Sequence, residues 1–131
     1  MTDYTHANMR TDVEDSAPGF GLAPDLEAHF ARKPLGAERI GVSLQKLAPG
    51  ARQAFGHRHA EDEEVYVVVK GSGRVKVDND IVVLGEWDAI RVAPETMRCF
   101  EAGDDGIEYL AFGMHTDGDS GEVVQGWWSE D

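Results

Sequence analysis

The chain has 131 residues, enough for one domain with a proper core. Its 25 Asp and Glu against 12 Lys and Arg give a formal charge of −13, which repels nucleic-acid phosphates and anionic membrane surfaces and argues against both as partners. The opening MTDYTHANMRTDVEDSAPGF lacks the basic start and apolar stretch of a signal peptide, no run is long enough to span a bilayer, and the one cysteine, Cys99, permits no internal disulfide, so a cytoplasmic location is expected.

Residues 1–24 are poor in large apolar side chains and carry Pro18, Gly19, Gly21 and Pro24, the composition of an extended arm lying over the domain or a partner. Residues 25–118 read as a β-barrel domain and 119–131 as a C-terminal tail. In LEAHFAR, Leu26, Ala28 and Phe30 alternate with polar neighbours; the segment fits a short helix, but strand is the preferred reading. IGVSLQKL (40–47) alternates and ends at Pro49-Gly50, EEVYVVVKG (63–71) is β-branched and aromatic, and GRVKVDND (73–80) alternates into an Asp-Asn-Asp turn. IVVLG, WDAIRVAP, RCFEAG and IEYLAFGMH carry the pattern to residue 115. Eight or so short strands without a long helix predict an all-β sandwich or a barrel-like jelly roll, a fold that can hold a small-molecule cavity in its mouth.

GHRHAEDEEVYVVVKGSG (56–73) carries the chemistry. Strand side chains alternate faces, so His57 and His59 point the same way, as do Gln53 and Phe55 before them. After a turn at 60–62, Glu64, Tyr66 and Val68 share a face, and with that face inward Glu64 meets the histidines. Two imidazoles and one carboxylate form a three-ligand set for iron, zinc, nickel, cobalt or manganese, with positions left for water and substrate. Taken alone, a His-x-His pair is common on exposed strands and EDEE is an ordinary solvated run; the full spacing from His57 to Gly71 distinguishes this one.

HRHAEDEEVYVVVKG resembles the first motif of the cupins, in which a glycine is followed after five residues by His-x-His, then three or four residues, Glu, six residues and Gly. His57, His59, Glu64 and Gly71 match, and Gly50 lies one residue too far from His57. The resemblance covers roughly residues 35–115. It implies a small jelly-roll barrel, frequently dimeric, with a divalent metal held by these three residues and a third histidine from a second motif. In WDAIRVAPETMRCFEA that second motif is changed at all five signature positions: Trp87, Ala93 and Glu95 replace Gly, Pro and Gly, Ala102 replaces Asn, and Arg98 replaces the third histidine.

Guanidinium has no free lone pair and stays protonated, so Arg98 cannot be a ligand. Alternation turns it inward with Phe100, beside the His57–His59–Glu64 group. It then either pairs with Glu64 through a bidentate salt bridge and keeps the site free of metal, or anchors an anionic substrate beside a metal on three ligands. Gln53 and Tyr66 either position that ligand or satisfy their own hydrogen bonds. Trp87 is expected to fill a packing gap, Cys99 to face away from the cavity, and His6, His29 and His115 to be surface or packing residues. Trp127 and Trp128 are expected to pack on the barrel or on a second subunit. Three functions remain open: a metal-dependent enzyme of dioxygenase, isomerase or decarboxylase type acting on a small anionic compound; a non-catalytic anion-binding or sensor cupin without metal; and an assembly protein with a vestigial cavity. A homodimer is expected.

Overall fold

The structure is a computed structural model that describes residues 2–130. β1 (Leu26–Phe30) is followed by one short helix, α1 (Arg32–Leu35), and then by β2 (Ile40–Leu47), β3 (Phe55–Arg58), β4 (Glu64–Val77), β5 (Asp80–Leu84), β6 (Ala89–Val92), β7 (Arg98–Met114) and β8 (Glu122–Gln125). These eight strands form one antiparallel sheet, ordered β1-β2-β7-β3-β8, with β4 pairing β5, β6 and β7. The sheet curls into a jelly-roll barrel, one of the two folds the strand spacing leaves open and the one the cupin resemblance implies. No helix among the described residues is long and apolar enough to cross a membrane.

β7 is the spine of the barrel. Its residues 107–114 pair with β2 on one side and its residues 107–113 with the first half of β4 on the other, while Arg98 to Ala102 pair with the second half of β4 and Arg98 also faces His57 of β3. The sequence reads β4 and β7 as two short strands each; in the structure each is one continuous, bent strand. The glycines that suggest turns instead mark points of close approach. A Cβ on Gly71 would overlap the Gly106 carbonyl oxygen and one on Gly73 the Glu101 carbonyl oxygen. The register shifts there, between Val68 and Lys70 and between Gly71 and Gly73. Each extra residue reverses the alternation. The buried face therefore runs from Tyr66 and Val68 to Val75 in β4, and from Phe100 and Ala102 to Ile107, Tyr109 and Ala111 in β7, without a break in the core.

The N-terminal arm lies against this chain's own sheet. Val13 and Ala17 are buried, Asp15 bridges His29, and one Asp15 carboxylate oxygen accepts the N–H groups of Ala17 and Ala28. His29 is a packing residue, buried on the face covered by the arm, with Nδ1 2.8 Å from the Val13 carbonyl oxygen. The segment after residue 118 supplies β8, which pairs with β3. Trp128 is buried under two guanidinium groups, with Arg52 4.2 Å and Arg74 5.1 Å from its ring, and Lys76 sits 4.7 Å from the Trp127 ring. The tryptophan pair thus docks on its own barrel.

Trp87 corrects the sequence reading. It is 72 % exposed at φ 69°, so it fills no gap; it occupies a left-handed position at the β5–β6 turn, where the family pattern has glycine and a side chain is strained. Alternation cannot report that exposure, because turns do not obey it.

Candidate metal centre

Three elements assemble the centre. β3 carries His57 directly opposite Arg98 of β7; the chain leaving β3 brings His59, whose N–H donates to the Pro94 carbonyl; and the first residue of β4 is Glu64, opposite Gly113. The two imidazoles meet edge to face, centroids 5.3 Å apart. His57 Nε2 lies 3.3 Å and His59 Nε2 3.5 Å from the same oxygen, Glu64 Oε1. The ligand atoms of all three residues fall within 4.8 Å of one another.

The same oxygen is the focus of a charged network. Tyr66 donates its hydroxyl hydrogen to Glu64 Oε1 at 2.5 Å and accepts from Arg98 Nε at 3.1 Å, and Arg98 Nη2 lies 3.2 Å from that oxygen. Arg98 Nη1 donates to the carbonyls of Pro94 and Thr96. The expected fork between Arg98 and Glu64 is therefore a single ion-pair contact plus a relay through Tyr66, because the other guanidinium nitrogen is held by the backbone. Burial pushes the Glu64 carboxyl up, but contacts from His57, His59 and Tyr66 outweigh it and hold the group well below the usual carboxylate range. The Glu64 contact raises His59 against the opposing effect of burial. Burial, reinforced by the Glu64 charge, keeps the Tyr66 hydroxyl protonated and so a permanent donor.

A cavity of about 930 Å³ opens above this network, lined by Gln53, Phe55, His57, His59, Glu64 and Tyr66 on its floor and by the arm, β1 and α1 at its rim. The residues expected to bind substrate are placed differently from that expectation. Arg98 has 0 % exposure and Phe100 stacks on Tyr109 in the core, centroids 4.3 Å apart, so neither lines the cavity. Gln53 and Tyr66 do line it, but their polar atoms are engaged within the protein: the Gln53 amide donates to the Tyr109 hydroxyl and accepts from the Phe100 N–H. A direct anchoring role for Arg98 gives way to an indirect one, fixing Glu64 from behind. Cys99 is buried off the cavity, its thiol pushed up to about 12 by burial, and is no nucleophile. His115, expected on the surface or in packing, lies on the cavity lining beside Asp117.

Asp119 is a member of the site that carries no sequence signal. It lies in the loop before β8, yet its carboxylate accepts the N–H groups of Ala60, Glu61 and Asp62, and its Oδ1 is 3.5 Å from His59 Nδ1, a buried nitrogen without a hydrogen-bond partner. Those backbone contacts hold its pKa down to about 2. Asp119 thereby clamps the turn between His59 and Glu64. Asp119→Ala is expected to speed amide exchange at residues 60–62 and to weaken divalent-cation binding about 10–100-fold, as outer-shell losses do. Unchanged exchange at those amides would remove the clamp.

The ligand group also passes a test of fit. Donors about 2.0–2.1 Å from a tetrahedral ion stand about 3.4 Å apart, close to the two observed nitrogen–oxygen separations. A curled eight-stranded sheet enclosing two imidazoles and a carboxylate defines a small β-barrel whose mouth could hold a metal ion.

The chain belongs to the cupin family: the family's Cupin domain matches residues 43–112, more than half of its length. No curated protein matches the sequence. Among solved structures it is similar to a cupin protein from Bacteroides fragilis (TM-score 0.71, 24 % identity, 90 % of this chain and 89 % of that one). It is also similar to a cupin-superfamily sugar phosphate isomerase from Silicibacter pomeroyi (0.67, 20 %, 76 % and 66 %). A third likeness is to a mutant oxalate decarboxylase from Bacillus subtilis (0.76, 21 %, 95 % and 33 %). These likenesses establish the fold.

Proposed function

We propose that this protein is a metal-dependent cupin enzyme that takes a small anionic compound into its barrel mouth, with His57, His59 and Glu64 holding the ion and a reaction of isomerase or decarboxylase type. One observation carries the reading: two imidazole nitrogens stand at 3.3 and 3.5 Å from one carboxylate oxygen, a separation suited to a shared ion and long for a good hydrogen bond. A bound divalent ion would supply Lewis acidity, polarising a substrate oxygen. The chain's own residues set the charge around it. Glu64 is kept ionised, Tyr66 stays a donor, and Arg98 adds a fixed positive charge behind the carboxylate. One carboxylate against a divalent cation and a guanidinium leaves positive charge in excess, which favours an anionic substrate and negative charge developing on it.

The Arg98–Glu64 ion pair favours a second reading, in which the pair takes the place of the metal and the barrel binds anions without chemistry. Elemental analysis of untagged protein purified without chelator separates the two. The expected result is about one metal per chain, lost in His57→Ala. An empty wild type with metal acquired only by Arg98→His would overturn the metal reading and leave the second.

A further inference from the structure

On the cavity floor Gln53 and Tyr66 have their polar groups engaged within the protein, and much of what the rim leaves open is apolar. Phe20 of the arm, Phe30 of β1, Met114 of β7 and Val123 of β8 are all exposed, and all four line this one cavity. Single exposed apolar side chains are ordinary, whereas a ring of them around a concave opening marks a surface that something covers. The charge of the lining points to what does. In a chain of formal charge −13, the cavity's only acidic side chains among the described residues are Glu14 and Glu64, the latter matched by Arg98, while Arg32 and Lys33 of α1 lie on the same wall. At about 930 Å³ the cavity is of the size that receives ligands with a substantial carbon body, far more than a two-carbon diacid needs.

We propose that the cavity binds an organic acid with an extended apolar body. Its anionic head is directed to the floor at His57, His59 and Glu64, and its body lies between Phe20, Phe30, Met114 and Val123. Arg32 and Lys33 raise the local concentration of the anion at the rim. The inference deepens the metal-cupin reading in its head group and rests on it there; the apolar half stands on the rim alone.

Calorimetric titration of the full chain with straight-chain carboxylates from butanoate to decanoate, and with the matching primary alcohols, tests it alongside metal analysis of the same preparation. Affinity is expected to rise about three- to fourfold per added methylene, and each acid is expected to bind better than its alcohol. Phe30→Ser, at a half-exposed position, flattens the chain-length dependence with metal content unchanged. Arg32→Gln combined with Lys33→Gln weakens the acids severalfold and leaves the alcohols as they were. Affinity independent of chain length, or alcohols equal to acids, overturns the proposal. So does a dimer in sedimentation that Phe30→Asp converts to monomer while no acid binds, since the rim then belongs to a second copy. A metal-free protein with the chain-length dependence intact refutes only the metal reading; a metal-loaded protein without it refutes only this one.

Discussion

Arg98→Met is expected to destabilise the protein by about 3–5 kcal/mol, the usual loss when one partner of a buried ion pair is removed. The guanidinium has no exposed surface, and four of its contacts disappear together: Glu64, the Tyr66 hydroxyl and the carbonyls of Pro94 and Thr96. The largely buried carboxylate is then left with only imidazoles and one hydroxyl to meet its charge. Two comparisons separate electrostatics from packing. Glu64→Gln made together with Arg98→Met is expected to recover part of the loss, because the uncompensated charge goes with it. A divalent cation is expected to recover part of it in Arg98→Met alone, since the ion takes over neutralisation of Glu64 and stability rises with cation concentration. Urea unfolding with and without zinc reads both. A single variant within 1 kcal/mol of wild type, or a double variant no better than the single, would show that Arg98 is there for volume rather than charge.

The second large effect lies at the bend of β4 and β7. Gly71→Ala is expected to lose roughly 2–5 kcal/mol, combining about 1–2 kcal/mol for a left-handed backbone at φ 78° with about 1–3 kcal/mol of overpacking against the Gly106 carbonyl. Gly73→Ala has the overlap, with the Glu101 carbonyl, but not the positive φ, and should show the overpacking loss alone. Gly50→Ala has the positive φ, 72°, with nothing near its new Cβ, and should lose only the conformational part. Denaturation midpoints for the three variants therefore test the assignment as a set. If Gly71→Ala were no worse than Gly50→Ala, the close approach of β4 to β7 would be wrong. The glycine that ends the first cupin motif is thus explained by the neighbouring strand, not by a turn.

Local alternation made much of the centre legible. His57 and His59 are two apart on an extended segment, a short turn brings back Glu64, and the period of two is enough to aim all three at one point. β2 was readable to its bounds because its alternating residues stop at Pro49-Gly50. The same rule failed at Gly71, Gly73, Gly103 and Gly106, since a glycine that allows close approach looks like one that makes a turn. It placed Arg98 and Phe100 inward but could not say how deep. Whether an inward side chain reaches the cavity or stops behind it depends on residues such as Tyr66 of β4, which contacts both, and Tyr109 in the far half of β7, which stacks on Phe100. Gln53 illustrates the same limit: its polar atoms are claimed by Phe100 and Tyr109, partners far away in sequence. Asp119 was invisible because a carboxylate in a Gly- and Asp-rich loop has no local mark of the backbone amides it will accept.

The pairing of β8 with β3, and the seating of Trp128 under Arg52 and Arg74, bear on how the protein is made. β3 holds the first histidine early in the chain, but one of its flanking strands is β8 and the other contact is at the start of β7. A ribosome delivers these segments in order, so a nascent chain emerging through β6 carries His57 on a strand whose partners are not yet made. With pairings this distant in sequence, closure of the barrel is intrinsically slow. β3 gains its partners only once β7 and β8 have been made, and until then its open edge is free to pair with a neighbour.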